Sequence, residues 1–185
     1  SSVTRAEFVK MTVQALYPET QITSCLDDEA NLTKYGLGMD FWDVPRDAWF
    51  APAVCIAWSK YLVSGYSNGS FQPDRTITLA EGAKILAVGF GLPTLNAPDL
   101  TSLGDEWYRP SILALGQAKA IPQTAEGYDH RLTRGEVAIM LARLLDVLEE
   151  NPVAAASLSP GDAANPVEWV PYVRRDLKFS FAYPS

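Results

Sequence analysis

The chain has 185 residues, a net charge of −7 and an apolar fraction of 48%, which fits one compact globular domain, with or without a tail. Asp and Glu outnumber Lys and Arg by 22 to 15, which argues against nucleic acid and against charge-driven docking on anionic lipid. No apolar run approaches the roughly 18–20 residues that cross a bilayer, and His130 with two cysteines and no Cys-x-x-Cys supplies no zinc set.

The sequence opens on Thr4-Arg5-Ala6-Glu7. A Thr hydroxyl accepts from a first-turn N–H while the Glu three residues on bonds back to the Thr N–H, so the pattern predicts a capping box and a helix start. Phe8, Met11 and Ala15, with Val9, Val13 and Leu16, then form one apolar face. No charged-then-apolar leader opens the sequence; the first residues read as the interior of a unit, and any leader is expected upstream. The stretch 19–40 is polar and irregular and reads as an inserted loop. Within it Asp27, Asp28 and Glu29 lack EF-hand spacing and read as a solvated charge cluster.

Next comes Phe41-Trp42-Asp43-Val44, where Asp43 is placed to cap a helix start or the turn before it. Trp49-Phe50-Ala51-Pro52 opens a helix, since proline loses nothing in a first turn, and Val54, Ala57, Trp58 and Tyr61 continue at helical spacing. Cys55 lies on this apolar stretch and Cys25 in the polar one. Their count leaves a disulfide and two free thiols equally open; a bridge would close a loop of about 30 residues, worth roughly 3–4 kcal/mol. The segment Gly65-Tyr66-Ser67-Asn68-Gly69-Ser70-Phe71-Gln72-Pro73 is turn chemistry. A second helix start follows at Thr78-Leu79-Ala80-Glu81. Gly82 and Gly89 cost about 1 kcal/mol each against Ala there, and suit close helix approach.

The pattern then repeats. Trp107-Tyr108-Arg109-Pro110 matches Trp49 to Pro52, Ile112, Leu115 and Ala118 give helical spacing, and Thr133-Arg134-Gly135-Glu136 is a third start. Val137, Met140, Leu141, Leu144 and Leu148 form its apolar face. His130 beside Asp129 has no accompanying nucleophile motif, so no catalytic residue, metal or cofactor is assigned. The residues thus divide into the second half of a first unit (1–18), the inserted loop (19–40), a second unit (41–93), a third unit (94–150), an Ala/Pro/Ser-rich linker (151–166) and a stub (167–185). In the stub Leu177, Phe179, Phe181 and Tyr183 alternate like a strand of a following domain.

Over residues 4 to about 148 these features resemble the S-layer homology family, a bacterial cell-surface anchoring module. Its pattern runs Phe-x-Asp-Val, Trp, helix, Gly-Tyr-x-Asp-Gly-Thr-Phe-x-Pro, Thr-Arg-Ala-Glu. The middle unit matches best; the last replaces the glycine loop with "IPQTAEGYDHRL". The resemblance implies an all-α fold, a pseudo-threefold bundle of helix-loop-helix repeats with an extended C-terminal tail. It implies non-covalent anchoring to the bacterial cell wall through a secondary cell-wall polysaccharide, often pyruvylated, held in grooves between repeats. An extracellular location makes the Cys25–Cys55 disulfide the expected state. Arg5 and Arg134 are the expected carboxylate partners, each adding a bidentate donor at a helix N-terminus, and Leu79 is expected to remove that cation from the middle corner. Trp49 and Trp107 are candidate sugar platforms, although core packing is the weightier expectation for both. Tyr66, Ser67, Asn68, Gly69 and Ser70 complete the candidate ligand set, while Thr4, Glu7, Thr78, Glu81, Thr133 and Glu136 are assigned as structural caps. No nucleic acid or membrane insertion is expected, and the half-unit at the front suggests completion by another chain in a swapped homo-oligomer. The rivals are a protein–protein or lattice module and an envelope enzyme whose catalytic domain lies beyond residue 185.

Overall fold

A computed structural model describes residues 1–27, 41–93 and 107–150. The fold is all-α. Among the described residues the helices are α1 (Arg5–Leu16), α2 (Glu19–Ser24), α3 (Ala51–Ser59), α4 (Leu79–Gly89), α5 (Arg109–Gln117) and α6 (Arg134–Glu150), with isolated β-bridges in place of a sheet. Asp28 and Glu29, the linker and the strand-like stub lie outside the described residues.

The three Thr-x-x-Glu segments begin α1, α4 and α6. In each, the Thr hydroxyl accepts from the Glu N–H and the Glu carboxylate accepts from the Thr N–H. The residues just before these helices meet in a closed ring of backbone bonds. The Val3 N–H donates to Leu132 O at 2.8 Å, Leu132 to Ile77 O at 3.1 Å, and Ile77 to Val3 O at 3.1 Å. All three side chains are buried, so each extended segment satisfies its polar backbone through its neighbours while its apolar side chain fills the centre.

The later helices dock on the earlier ones. α3 packs against α1 and α2, α5 against α4, and α1 touches α4 and α6. Phe8, Val9, Val13, Leu86, Val137, Met140 and Leu144 are fully buried at these contacts, as their helical spacing predicts. Gly82 permits the approach at the hub: a Cβ there would stand 2.9 Å from Leu132 Cδ1 and 3.0 Å from Phe8 Cζ. Cys25 and Cys55 form the disulfide, Cα atoms 6.1 Å apart, which ties the end of α2 to α3.

Three local expectations are corrected. The inserted stretch begins as a helix, α2, because Pro18 fixes an extended N-cap, Glu19 favours the first turn, and Ile22 has a core site to fill. Tyr61 is not on the face of α3. The helix stops at Ser59 and Tyr61 is exposed with φ +59°, reversing the chain into Leu62. Trp49 and Trp107 are not core residues: each is more than half exposed, at 56% and 55%, and makes an edge-on ring contact with the next residue, Phe50 being buried and Tyr108 partly buried.

Candidate functional site

The N-termini of α1, α4 and α6 form three corners, each centred on the glutamate of its capping box. One carboxylate oxygen faces the helix cap and the other faces outward. What meets that outward oxygen differs at every corner.

At the Glu81 corner, Arg75 Nη2 lies 3.0 Å from Glu81 Oε1 and the Tyr66 hydroxyl donates to the same oxygen at 3.3 Å. Arg75 Nη1 also donates to the Tyr66 hydroxyl, and its guanidinium lies 5.5 Å from that ring's centroid. Arg5 arrives from α1. Its Nε donates to Phe71 O at 2.9 Å, and its guanidinium lies 5.2 Å from the Tyr66 centroid and 5.0 Å from that of Phe71. Arg5 is 8% exposed, and burial lowers its pKa from the usual arginine value. Burial likewise raises the Tyr66 phenol.

The loop that supports this corner is internally bonded. Gly65 and Gly69 adopt φ of +69° and +75°, conformations that favour glycine. Tyr66 N donates to Ser70 O and Gly69 N to Tyr66 O, both at 2.9 Å. Asn68 Oδ1 accepts from the Ser70 N–H at 3.1 Å and from its hydroxyl at 2.7 Å. Ser70 is 1% exposed and donates its hydroxyl hydrogen within the loop; Ser67, Asn68 and Gly69 lie on the exposed rim. Sequence reasoning missed the role of Asp43. Its carboxylate accepts the N–H groups of Phe71 and Gln72, each at 2.7 Å. That clamp holds Phe71 O beneath Arg5. Its one signal is the Asp of the Phe-x-Asp-Val pattern, which local reading assigned to a cap.

At the Glu7 corner, Arg134 of α6 donates to Glu7 Oε1 at 3.0 Å and is 67% exposed. The Thr4 N–H, the Thr4 hydroxyl and then Arg134 hold the Glu7 carboxyl below its ordinary range, against a burial effect in the opposite direction. At the Glu136 corner the partners are Thr124 and His130, whose Nε2 is 2.9 Å from Glu136 Oε1. Burial works to raise Glu136, but bonds from Thr124, Thr133 and His130 outweigh it and hold the group at about 2. Leu79 therefore stands elsewhere than expected. Its N–H donates to His130 O at 2.8 Å, at the Glu136 corner, and Glu81 of its own helix is met by Arg75.

The exposed tryptophans form a second pattern. Lys10 of α1 lies over Trp49, Nζ 5.0 Å from the centroid, and Lys84 of α4 lies over Trp107 at 5.5 Å. Each pair joins the start of one helix to the middle of the helix it packs against. Trp42 is also exposed and donates through Nε1 to Asn68 O at 3.3 Å.

Residues 40–83 match the family model of the S-layer homology domain. An S-layer protein of Bacillus thuringiensis subsp. finitimus and the S-layer protein sap of Bacillus anthracis are each 32% identical over 94 residues, half of this chain and 12% of theirs. The middle cell wall protein of Brevibacillus brevis is 25% identical over 151 residues, 80% of this chain and 13% of its own length. The matched stretches thus span about an eighth of these relatives. No solved structure matches the chain. The similarity to the S-layer homology domain thus rests on residues 40–83 and on these surface-layer relatives.

Proposed function

We propose that this chain is a cell-surface anchoring module that holds a larger protein on the bacterial cell wall by binding a carboxylate-bearing wall polysaccharide, of the pyruvylated kind, at its arginine corners. The match at 40–83 and the surface-layer relatives support the anchoring role. The observation that carries the polysaccharide reading is Arg5. The residue is 8% exposed and its guanidinium lies 5.2 and 5.0 Å from the Tyr66 and Phe71 ring centroids, yet only its Nε has an acceptor among the described residues. Burying a cation is costly unless it is paired, and an unused fork of N–H donors is shaped for a carboxylate. The ring of bonds among Val3, Ile77 and Leu132 supports reading the three helix starts as equivalent corners of repeats. Trp49 and Trp107, exposed beside lysines, fit sugar platforms flanking the grooves.

The test is sedimentation of the chain with isolated cell-wall sacculi before and after chemical removal of the attached polysaccharide. Retention that disappears with the polymer supports the reading; retention indifferent to it overturns it. A second reading, docking of another surface protein, is favoured by the same exposed tryptophans. It predicts that Trp49→Ala with Trp107→Ala abolishes retention while the arginines prove neutral.

A further inference from the structure

The family pattern places an arginine at the second position of the helix start and is silent on the residue three before it. In this chain those preceding positions are Arg75 for Thr78 and His130 for Thr133. Each meets the capping glutamate that follows it, Arg75 to Glu81 at 3.0 Å and His130 to Glu136 at 2.9 Å. Only Arg75 stands beside a second arginine. Arg5 and Arg75 both lie over the Tyr66 ring, within 5.2 and 5.5 Å of its centroid, and Glu81 is the carboxylate paired with Arg75.

Around the Tyr66 ring two guanidiniums face the one carboxylate of Glu81, a local excess of one positive charge on a chain that is otherwise acidic, while the Asp43 carboxylate is taken up by the Phe71 and Gln72 N–H groups. The Arg134–Glu7 pair leaves none. Arg75 has a half-exposed side chain, at 44%, while Glu81 is 15% exposed, so the cation's side of the pair is open to solvent, where ion pairs contribute little net stability. Its bond to Glu81 is therefore cheap to exchange. Arg5 is held differently, bonded at Nε to Phe71 O and packed near the Tyr66 and Phe71 rings.

We infer that Arg75 is a specificity-determining residue of this corner: the second, mobile cation that turns from Glu81 onto a ligand carboxylate already held by the fixed fork of Arg5. The inference rests on the anchoring reading and adds to it a residue outside the family's motif. The ligand group is a single carboxylate, because one net charge is what the corner can neutralise. Tyr66, which already accepts from Arg75, is the pivot between the two positions.

The experiment is calorimetric titration of the 185-residue chain with a methyl hexoside bearing a pyruvate ketal, and with the methyl ester of the same ketal. Sacculus sedimentation is run in parallel. The wild-type chain is expected to prefer the free acid. Arg75→Gln is expected to weaken that binding by about tenfold, the loss of one charge-assisted hydrogen bond, and to weaken sacculus retention with it. Arg75→Lys, which keeps the positive charge, is expected to recover most of the preference for acid over ester, a readout that a purely structural role for Arg75 would not move. Thermal melts of both variants within a few degrees of wild type exclude unfolding as the cause. Acid preference or sacculus retention in wild type, with Arg75→Gln within twofold on each, overturns the inference and leaves the anchoring reading standing. A wild-type chain that neither distinguishes acid from ester nor sediments with sacculi overturns both.

Discussion

The Glu81 and Glu136 corners begin from the same Thr-x-x-Glu pattern and end with different partners. Both carry a Thr hydroxyl and a Glu carboxylate in reciprocal bonds with the backbone. At Glu81 the surroundings are two guanidiniums and a phenol from a glycine-rich loop. At Glu136 they are Thr124 and an imidazole, and the position that could bring in a neighbouring arginine holds Leu79. The capping box starts a helix wherever it occurs. What surrounds each capping glutamate is decided by side chains that arrive from other elements, so the three helix starts share a cap and differ in chemistry.

The sharpest way to break the difference is to remove the loop that supplies one side of it. A Cβ on Gly65 would fall well inside van der Waals contact of the Phe41 ring and 2.9 Å from Ser70 O, at φ +69°. Gly65→Ala is expected to destabilise the chain by about 3 kcal/mol and to abolish preference for a carboxylate ligand. The Glu136 corner has a glycine nearby, Gly127, without a positive φ and facing only the flexible Asp129 carboxylate at 3.2 Å. Gly127→Ala is expected to cost less than about 1 kcal/mol. Urea unfolding of the two variants side by side measures the contrast, and equal losses would show that the loop is not what distinguishes the corners.

The next effect sharpens the comparison through pH. The Glu136 carboxyl is depressed from 4.5 to about 2. A carboxylate depressed by folding contributes stability that is complete above its unfolded range and is lost as pH falls through the folded value. The wild-type chain is therefore expected to lose stability between about pH 4.5 and 2 in part through this group. Glu136→Gln is expected to cost about 1–2 kcal/mol at neutral pH, the scale of a lost cap bond, and to flatten the acid limb. Melting temperatures across that range, for wild type and variant, test it; parallel curves would place the acid sensitivity elsewhere.

The sequence made the corners legible and their contents much less so. Thr4, Thr78 and Thr133 and the glutamates three residues on act within one helical turn, and local spacing is enough to find them. The apolar faces of α1 and α6 follow from period alone. Arg5 is the opposite case. Arginines are seldom buried, and nothing near Arg5 in sequence announces Phe71 O or the two rings, which lie more than sixty residues away. Asp43 was misread for the same reason, its partners being 28 and 29 residues distant. Trp49 and Trp107 were weighted toward the core because large aromatics favour burial, but Phe50 takes the inner position and leaves Trp49 outside. The S-layer homology pattern supplied what spacing could not, since it carries long-range pairings as motif positions.

The smallest expected effect separates the two arginines that the sequence treats as alike. Arg5 and Arg134 occupy the same motif position, yet one is buried with spare donors and the other is exposed and already paired with Glu7. An exposed pair of this kind contributes about 0–1 kcal/mol, and Glu7 keeps its bonds to Thr4 when Arg134 is lost. Arg134→Gln is therefore expected to shift stability by less than about 1 kcal/mol. Binding of a pyruvate-ketal glycoside is expected to change less than it does for Arg75→Gln. A loss at Arg134 that equals or exceeds the loss at Arg75 would mean that a ligand carboxylate displaces Glu7 as readily as Glu81, and that exposure rather than net corner charge selects the binding corner.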